Sequence, residues 1–279
     1  DLQTIEAVEN LKDLRVLVLG ESIVDQYVFC EALGKSGKEP VLVVRELQTQ
    51  QYAGGAVAIA HHLSEFCHEV TLLSMLGEDG QYEDFLRDGM PDNVSAKFLR
   101  KRGAPTIVKK RFVDTVSHNK TMGVYSLDDS PLESDEEEEL SVLLDQLIRA
   151  HDLLIVSDYG HGFISPKIAK SVSTAGVFCS LNAQINAANI GYHTMKNYSG
   201  VDCAIINEGE LRHELRDRQS PVTPLAEQLL KSLRSQHLVV TRGSNGASLY
   251  TANHNRVHAC PAFAGKVVDK VGSGDAGRT

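Results

Sequence analysis

The chain has 279 residues, 42% of them hydrophobic and 23% charged, with a formal net charge of −9. That size and apolar content suffice for one large α/β domain, alone or with a small appendage, and argue against two equal domains. The acidic balance repels phosphate backbones and anionic lipid, so neither nucleic acid nor a membrane is an expected partner, and no apolar run approaches the roughly 20 residues of a membrane-spanning helix.

In chain order, DLQTIEAVENLKDL (1–14) has the polar character of an amphipathic helix and not of a signal peptide. RVLVLG (15–20) is the first of a set of short apolar runs, each closed by glycine or a polar residue. The others are EVTLLSML (69–76), DLLIVSD (152–158), GVFCSLN (176–182), DCAIIN (202–207) and HLVVTRG (237–243). Runs apolar on both faces predict central strands of a mostly parallel sheet. Helical periodicity falls between them, at AVAIAHHLSEFC (56–67), 135–150, PKIAKSVSTA (166–175) and PLAEQLLKSLRS (224–235). This alternation predicts a doubly wound α/β fold.

Two regions break the rhythm: PVLVVREL (40–47), and the pair TIVKKRFVD (106–114) and TMGVYSLD (121–128). No helix of useful length separates them, so they predict a small antiparallel sheet, from about 30–50 and 103–128, that serves as a lid or a pairing surface. SDEEEE (134–139) reads as the acidic first turn of a solvated helix. Cys30, Cys67, Cys179, Cys203 and Cys260 are scattered, odd in number and without CxxC spacing, which fits a reducing cytoplasm and no disulfide framework. His61, His62 and His68 read as surface or packing residues, with no acid or cysteine pattern beside them to suggest a metal.

The chain closes on DKVGSGDAGRT (269–279). Small residues between a strand and a helix leave backbone N–H groups unobstructed, an anion cradle. VGSGDA lacks the lysine of GxxxxGK[ST] and the spacing of GxGxxG. An acid beside a cradle would repel a phosphate that was merely held; it is useful where a proton must be taken. Asp275 then acts as base in phosphoryl transfer, with the amides of Gly272, Ser273 and Gly274 stabilising the moving charge. A plain structural turn capped by aspartate is the alternative for this segment taken alone.

The order of motifs resembles the ribokinase-like PfkB carbohydrate kinases. Asp269, Gly272, Ser273, Gly274 and Asp275 match D-x-x-G-[AS]-G-D, and INEGE (206–210) matches N-x-x-E. The resemblance implies a ribokinase-like fold, ATP and Mg²⁺, with Asn207 and Glu210 organising the metal through its waters. It places Thr241, Arg242 and Gly243 near the nucleotide and Gly246 in the adjoining turn, within VVTRGSNGASLY (239–250). It also implies that Asp25 binds sugar hydroxyls and that Gly54 and Gly55 lie beneath the sugar. GESIVDQY, PTIVKKRF (105–112) and SDYGHG (157–162) are similar to the heptose-phosphate kinases, which places Asp158 with the substrate and implies a homodimer through the lid strands. The likeness runs from about residue 14 to the end, so 1–279 is expected to be a single kinase domain.

Plainer roles stand beside these. Asp25 suits a helix cap, and the glycine pair suits tight packing. Lys109 and Arg111, two apart on a strand, share one face and suit either a sugar-phosphate clamp or an edge guarded against aggregation. The sequence departs from the resemblance at Ala58, where the family has asparagine, and at His161, where the heptose kinases have lysine. LNAQINAANIGYH (181–193) replaces a cationic segment, leaving Asn182, Gln184 and Asn186 as neutral donors. The family continues past the catalytic aspartate into further helices that are missing here, so the parent polypeptide is expected to continue and this stretch alone to be weak or inactive. The expected function is an ATP-dependent sugar kinase; the alternative is a non-catalytic sugar- or nucleotide-binding module of a larger carbohydrate-pathway protein. A nucleoside kinase is disfavoured, since 6% aromatic residues and no tryptophan leave little to stack a base.

Overall fold

The computed structural model describes residues 6, 8–185, 189, 193–252 and 254–262. Its first layer is a nine-stranded sheet built on β1 (Arg15–Gly20), with β4 (Glu69–Gly77) and β5 (Val94–Lys101) to one side. To the other side lie β8 (Leu153–Asp158), β9 (Phe178–Ala183), β10 (Cys203–Asn207), β11 (His237–Thr241), β12 (Ala247–Thr251) and β13 (His254–Cys260), in that order. Pairing is parallel from β5 through β11, and β12 and β13 close the edge in antiparallel fashion.

The period-two geometry of a strand explains why these runs are apolar throughout. Val16 and Val18 of β1 face one core with α1 (Ala56–Leu63) and α2 (Glu83–Asp88), while Leu17 and Leu19 face the other. That second core is covered by α3 (Ser134–Ile148), α4 (Pro166–Ser173), α5 (Glu208–Leu215) and α6 (Val222–Leu233). Each expected helix is present, ending two to four residues earlier than its apolar pattern. The acidic run does open α3, but Glu136 is only 8% exposed: it accepts the Arg102 and Glu133 amides, both at 2.8 Å, so this one carboxylate is a structural anchor and not a solvated charge.

The small sheet holds β2 (Ser22–Lys35), β3 (Leu42–Gly55), β6 (Val108–Asp114) and β7 (Lys120–Ser126), in the order β3-β2-β6-β7. Two antiparallel hairpins, β2–β3 and β6–β7, are joined by a parallel β2–β6 pair. The sheet starts earlier than the sequence suggested, because β2 leaves β1 after a single residue and runs for 14 residues. Asp25 therefore lies inside a strand, which removes the reading of it as a helix cap. Among the described residues, no helix is long and apolar enough to cross a membrane.

Candidate active site

The site is built at the carboxyl ends of the parallel strands, where α/β sheets hold their ligands. Its floor is organised by Glu21, the residue between β1 and β2. Its fully buried carboxylate accepts the amides of Tyr159 (2.9 Å) and His161 (3.0 Å), fixing the loop after β8. Gly160 and Gly162 take φ of 69° and 84° in that loop, which the left-handed region permits to glycine at little cost. Burial, and then the nearby Asp158 charge, raise the Glu21 carboxyl above its ordinary range.

Asp158 differs from expectation. It is 2% exposed and accepts the Tyr198 hydroxyl at 2.6 Å and the Gly160 amide at 2.9 Å, with the His193 Nε2 at 3.4 Å. The structure encloses this carboxylate beneath the floor, so it positions the loop instead of meeting a substrate directly. Burial pushes its carboxyl up to about 6, against the pull of Tyr198 and Gly160.

Above the floor, the small sheet brings the remaining expected substrate residues together. Asp25 is in register with Lys109, and Lys109 with Tyr125, so all three project from one face. Arg111, two residues on, pairs with Asp25 through its Nη1. Gly54 lies directly against Asp25: a Cβ there would strike Oδ2. Gly55, at φ 63°, passes so close to the Glu21 carbonyl that a Cβ would overlap it, and that carbonyl accepts the Ala56 amide at 2.9 Å. Both glycines are thus required by approach, one to the acid and one to the strand junction.

Lys109 is 8% exposed, with its Nζ 5.9 Å from the Tyr125 ring centre and 5.7 Å from that of Tyr159, between lid and floor. Burial lowers its pKa, opposed mainly by Asp25. The ammonium is therefore held in a setting where an anion would relieve its desolvation. His161 is fully buried with Nδ1 2.8 Å from Asp129 Oδ1, and its Nε2 has no partner among the described residues. Burial, and then Lys109, hold its pKa below the ordinary histidine range.

The expected nucleotide residues line the carboxyl edge of β9, β10 and β11. Asn207 and Glu210 form a capping box on α5, with Asn207 Oδ1 accepting the Glu210 amide at 2.9 Å and Glu210 Oε2 accepting the Asn207 amide at 3.1 Å. Thr241 is in register with Asn207. Arg242 follows, its amide donating to the Gly246 carbonyl at 2.7 Å, and the turn takes φ of 56° at Gly243 and 77° at Gly246. A Cβ on Gly243 would meet nothing within 4 Å, so the turn is open there.

Asn182 requires a correction. Its amide nitrogen donates to the Ile205 carbonyl at 2.8 Å, tying β9 to β10, and the buried atom left without a partner among the described residues is the acceptor Oδ1. One of its two amide hydrogens is therefore committed to the sheet. Asp275, Gly272, Ser273 and Gly274 lie outside the described residues, as do Asp269 and Asn186.

Sequence reasoning missed Glu21, Asp129, Tyr125, His193 and Tyr198. Glu21 left one signal, an acid directly after an apolar strand that ends in glycine; Tyr198 left none, because it reaches Asp158 from 40 residues away.

The profile of the pfkB family carbohydrate kinases matches residues 13–278. The chain belongs to this family. It is 27% identical over 274 residues to the bifunctional protein HldE of Koribacter versatilis, covering 96% of this chain and 54% of that protein. To HldE of Campylobacter jejuni it is 26% identical over 266 residues, covering 94% and 54%. The chain spans about half the length of these relatives. Among solved structures it resembles Arabidopsis thaliana ribokinase complexed with ribose and ATP, at a TM-score of 0.65 and 17% identity over 95% of this chain and 83% of that one. It also resembles Escherichia coli phosphofructokinase-2 in complex with fructose-6-phosphate, at 0.69 and 15% over 94% and 84%. These likenesses show the ribokinase-like fold, and the pfkB domain here keeps both of its layers.

Proposed function

We propose that residues 1–279 act as one kinase domain that transfers the γ-phosphoryl group of ATP to a hydroxyl of a phosphorylated sugar, of the heptose-phosphate class. The observation that carries this is the cluster beneath the small sheet, a carboxylate and two cations on one face. Asp25 is suited to accept from sugar hydroxyls. Arg111 spends one nitrogen on Asp25 and keeps further donors of its fork, and the desolvated Lys109 ammonium gains by meeting a phosphate. The HldE relatives support the substrate class.

ATP fits the carboxyl edge of β10 and β11, where Thr241, Arg242 and the open Gly243 turn would receive it. Mg²⁺ fits a single carboxylate, Glu210, acting through water, as a hard cation that keeps most of its hydration does. When bound, the metal supplies charge neutralisation on the phosphates. Asp275 takes the proton from the attacking hydroxyl, and the amides of Gly272, Ser273 and Gly274 form the anion hole; these assignments rest on the D-x-x-G-[AS]-G-D spacing.

ADP release should be followed with ATP, Mg²⁺ and a heptose phosphate, beside calorimetry of each ligand. Asp275→Asn is expected to lower turnover by about 10²–10⁴-fold with both affinities retained. Full turnover in that variant removes Asp275 as the base. Affinity without turnover in the parent chain favours the alternative, a non-catalytic binding module, for which the neutral stretch 181–193 speaks.

A further inference from the structure

Along α5, the residues Gly209, Arg212, His213 and Arg216 recur at the spacing of one helical face. The chain after the helix curls back across that face, adding Asp217, Arg218 and Gln219, and lines an open cleft of about 660 Å³. That volume is in the range of small-molecule sites. The chain as a whole has 28 lysines and arginines against 37 acids, so such a concentration of arginine runs against its average.

Local structure accounts for only part of it. A cation near a helix C-terminus is favoured by the macrodipole, which explains one arginine. Arg212 is held by Glu208 (Nη2 to Oε1, 2.8 Å) and by the Ser220 carbonyl (3.0 Å). Arg216 and Arg218 have no ion-pair partner among the described residues. Asp217, the acid between them, is turned onto the amides of Gln219 and Ser220, each at 2.9 Å, so it shapes the loop that carries them. With three arginines against the single lining acid Asp217, the wall keeps a positive excess that a bound anion would offset. The guanidinium fork also matches phosphate oxygens in pairs.

We propose that this cleft binds the phosphate group of a phosphorylated small molecule, at a site formed by Arg212, Arg216 and Arg218 and separate from the sugar and nucleotide residues assigned above. It does not depend on the kinase reading, and its test uses no turnover. Inorganic pyrophosphate titrated into the whole chain by calorimetry should bind at submillimolar concentration. Arg216→Glu/Arg218→Glu should weaken that binding at least tenfold, Arg216→Gln/Arg218→Gln should weaken it less, and Lys170→Ala, at an exposed lysine of α4, should leave it unchanged. Circular dichroism of each variant checks that it is folded, and the glutamine pair stands alone as the test if charge reversal unfolds the protein. No heat at millimolar pyrophosphate overturns the proposal, as does binding lost in Lys109→Ala but kept in both arginine pairs. Equal affinity for a hexaglutamate peptide would also overturn it, in favour of a docking patch for acidic protein segments.

Discussion

Gly54 shows what a single hydrogen in place of a methyl can decide. Its Cα lies against Asp25 Oδ2, and Arg111 holds the opposite oxygen of that carboxylate. Gly54→Ala would drive a Cβ into Oδ2, and relieving that clash displaces the carboxylate that Arg111 holds. The β2–β3 ladder around it has no need of the glycine for its own hydrogen bonds, so the fold should survive. We expect the KM for sugar to rise about tenfold or more, the loss of one charge-assisted hydrogen bond being about 1.5–3 kcal/mol, with kcat changed less and the far-UV spectrum retained. An unchanged KM would mean that the acid does not touch the acceptor. Sequence alone marked Asp25, Gly54, Lys109 and Arg111 as a set, but it could not show that the arginine and the glycine both act on the acid.

At the scale of elements, the loop after β8 is held from below by two buried acids, and this has a signature in pH. Folded Asp158 binds its proton more tightly than the unfolded chain does, its carboxyl moving from the usual 3.8 to about 6 because burial disfavours the charge. Its contribution to stability is therefore complete below about pH 4 and declines as pH rises through about 6. Glu21 shifts in the same direction. Asp128, held by the Ser130 hydroxyl and amide, and Asp152, held by Arg15, are lowered to about 2, so their contributions are lost as pH falls from about 4 through that value. Burial lowers His161 and His193, which contribute with the opposite sign over the same window in both proteins, so from pH 4 to pH 7.5 the urea midpoint of Asp158→Asn should rise relative to that of the parent chain. Parallel profiles would show that Asp158 is not the group responsible.

The elements themselves were largely legible. Strands buried on both faces declare themselves as apolar runs, whereas the short helices α2 and α5 were not among those expected, being only six and eight residues long. Less legible were β5, whose exposed alternate residues dilute its pattern, and β2, whose apolar run is interrupted by Asp25 and Gln26 and ends in an exposed stretch. The floor was hidden for a different reason: Glu21, Asp158 and Tyr198 meet only after strands far apart in sequence are paired, and no local pattern encodes a contact of that kind.

For the whole molecule, the small sheet has more apolar surface than this chain covers. Met122 and Val124 of β7 are 54% and 50% exposed, and Leu42 and Leu47 of β3 are 65% and 55% exposed. A four-stranded sheet with such side chains in water gains by closing on a second copy, and a two-fold dimer buries the same patch twice. Light scattering at micromolar concentration should give twice the chain mass, and Met122→Glu/Val124→Glu should give the mass of one chain with the fold intact. A parent chain that scatters as a monomer rules the assembly out.

The path of β2 also sets a mechanical ratio. The strand departs from the main sheet at Ser22, so at about 3.3 Å per residue Asp25 stands roughly 10 Å from the departure point and Lys35 roughly 43 Å from it. Any swing about that fulcrum is therefore geared: a tip travel of about 8 Å carries the acid only about 2 Å. The group that would grip a guest thus sits where the strand would move least.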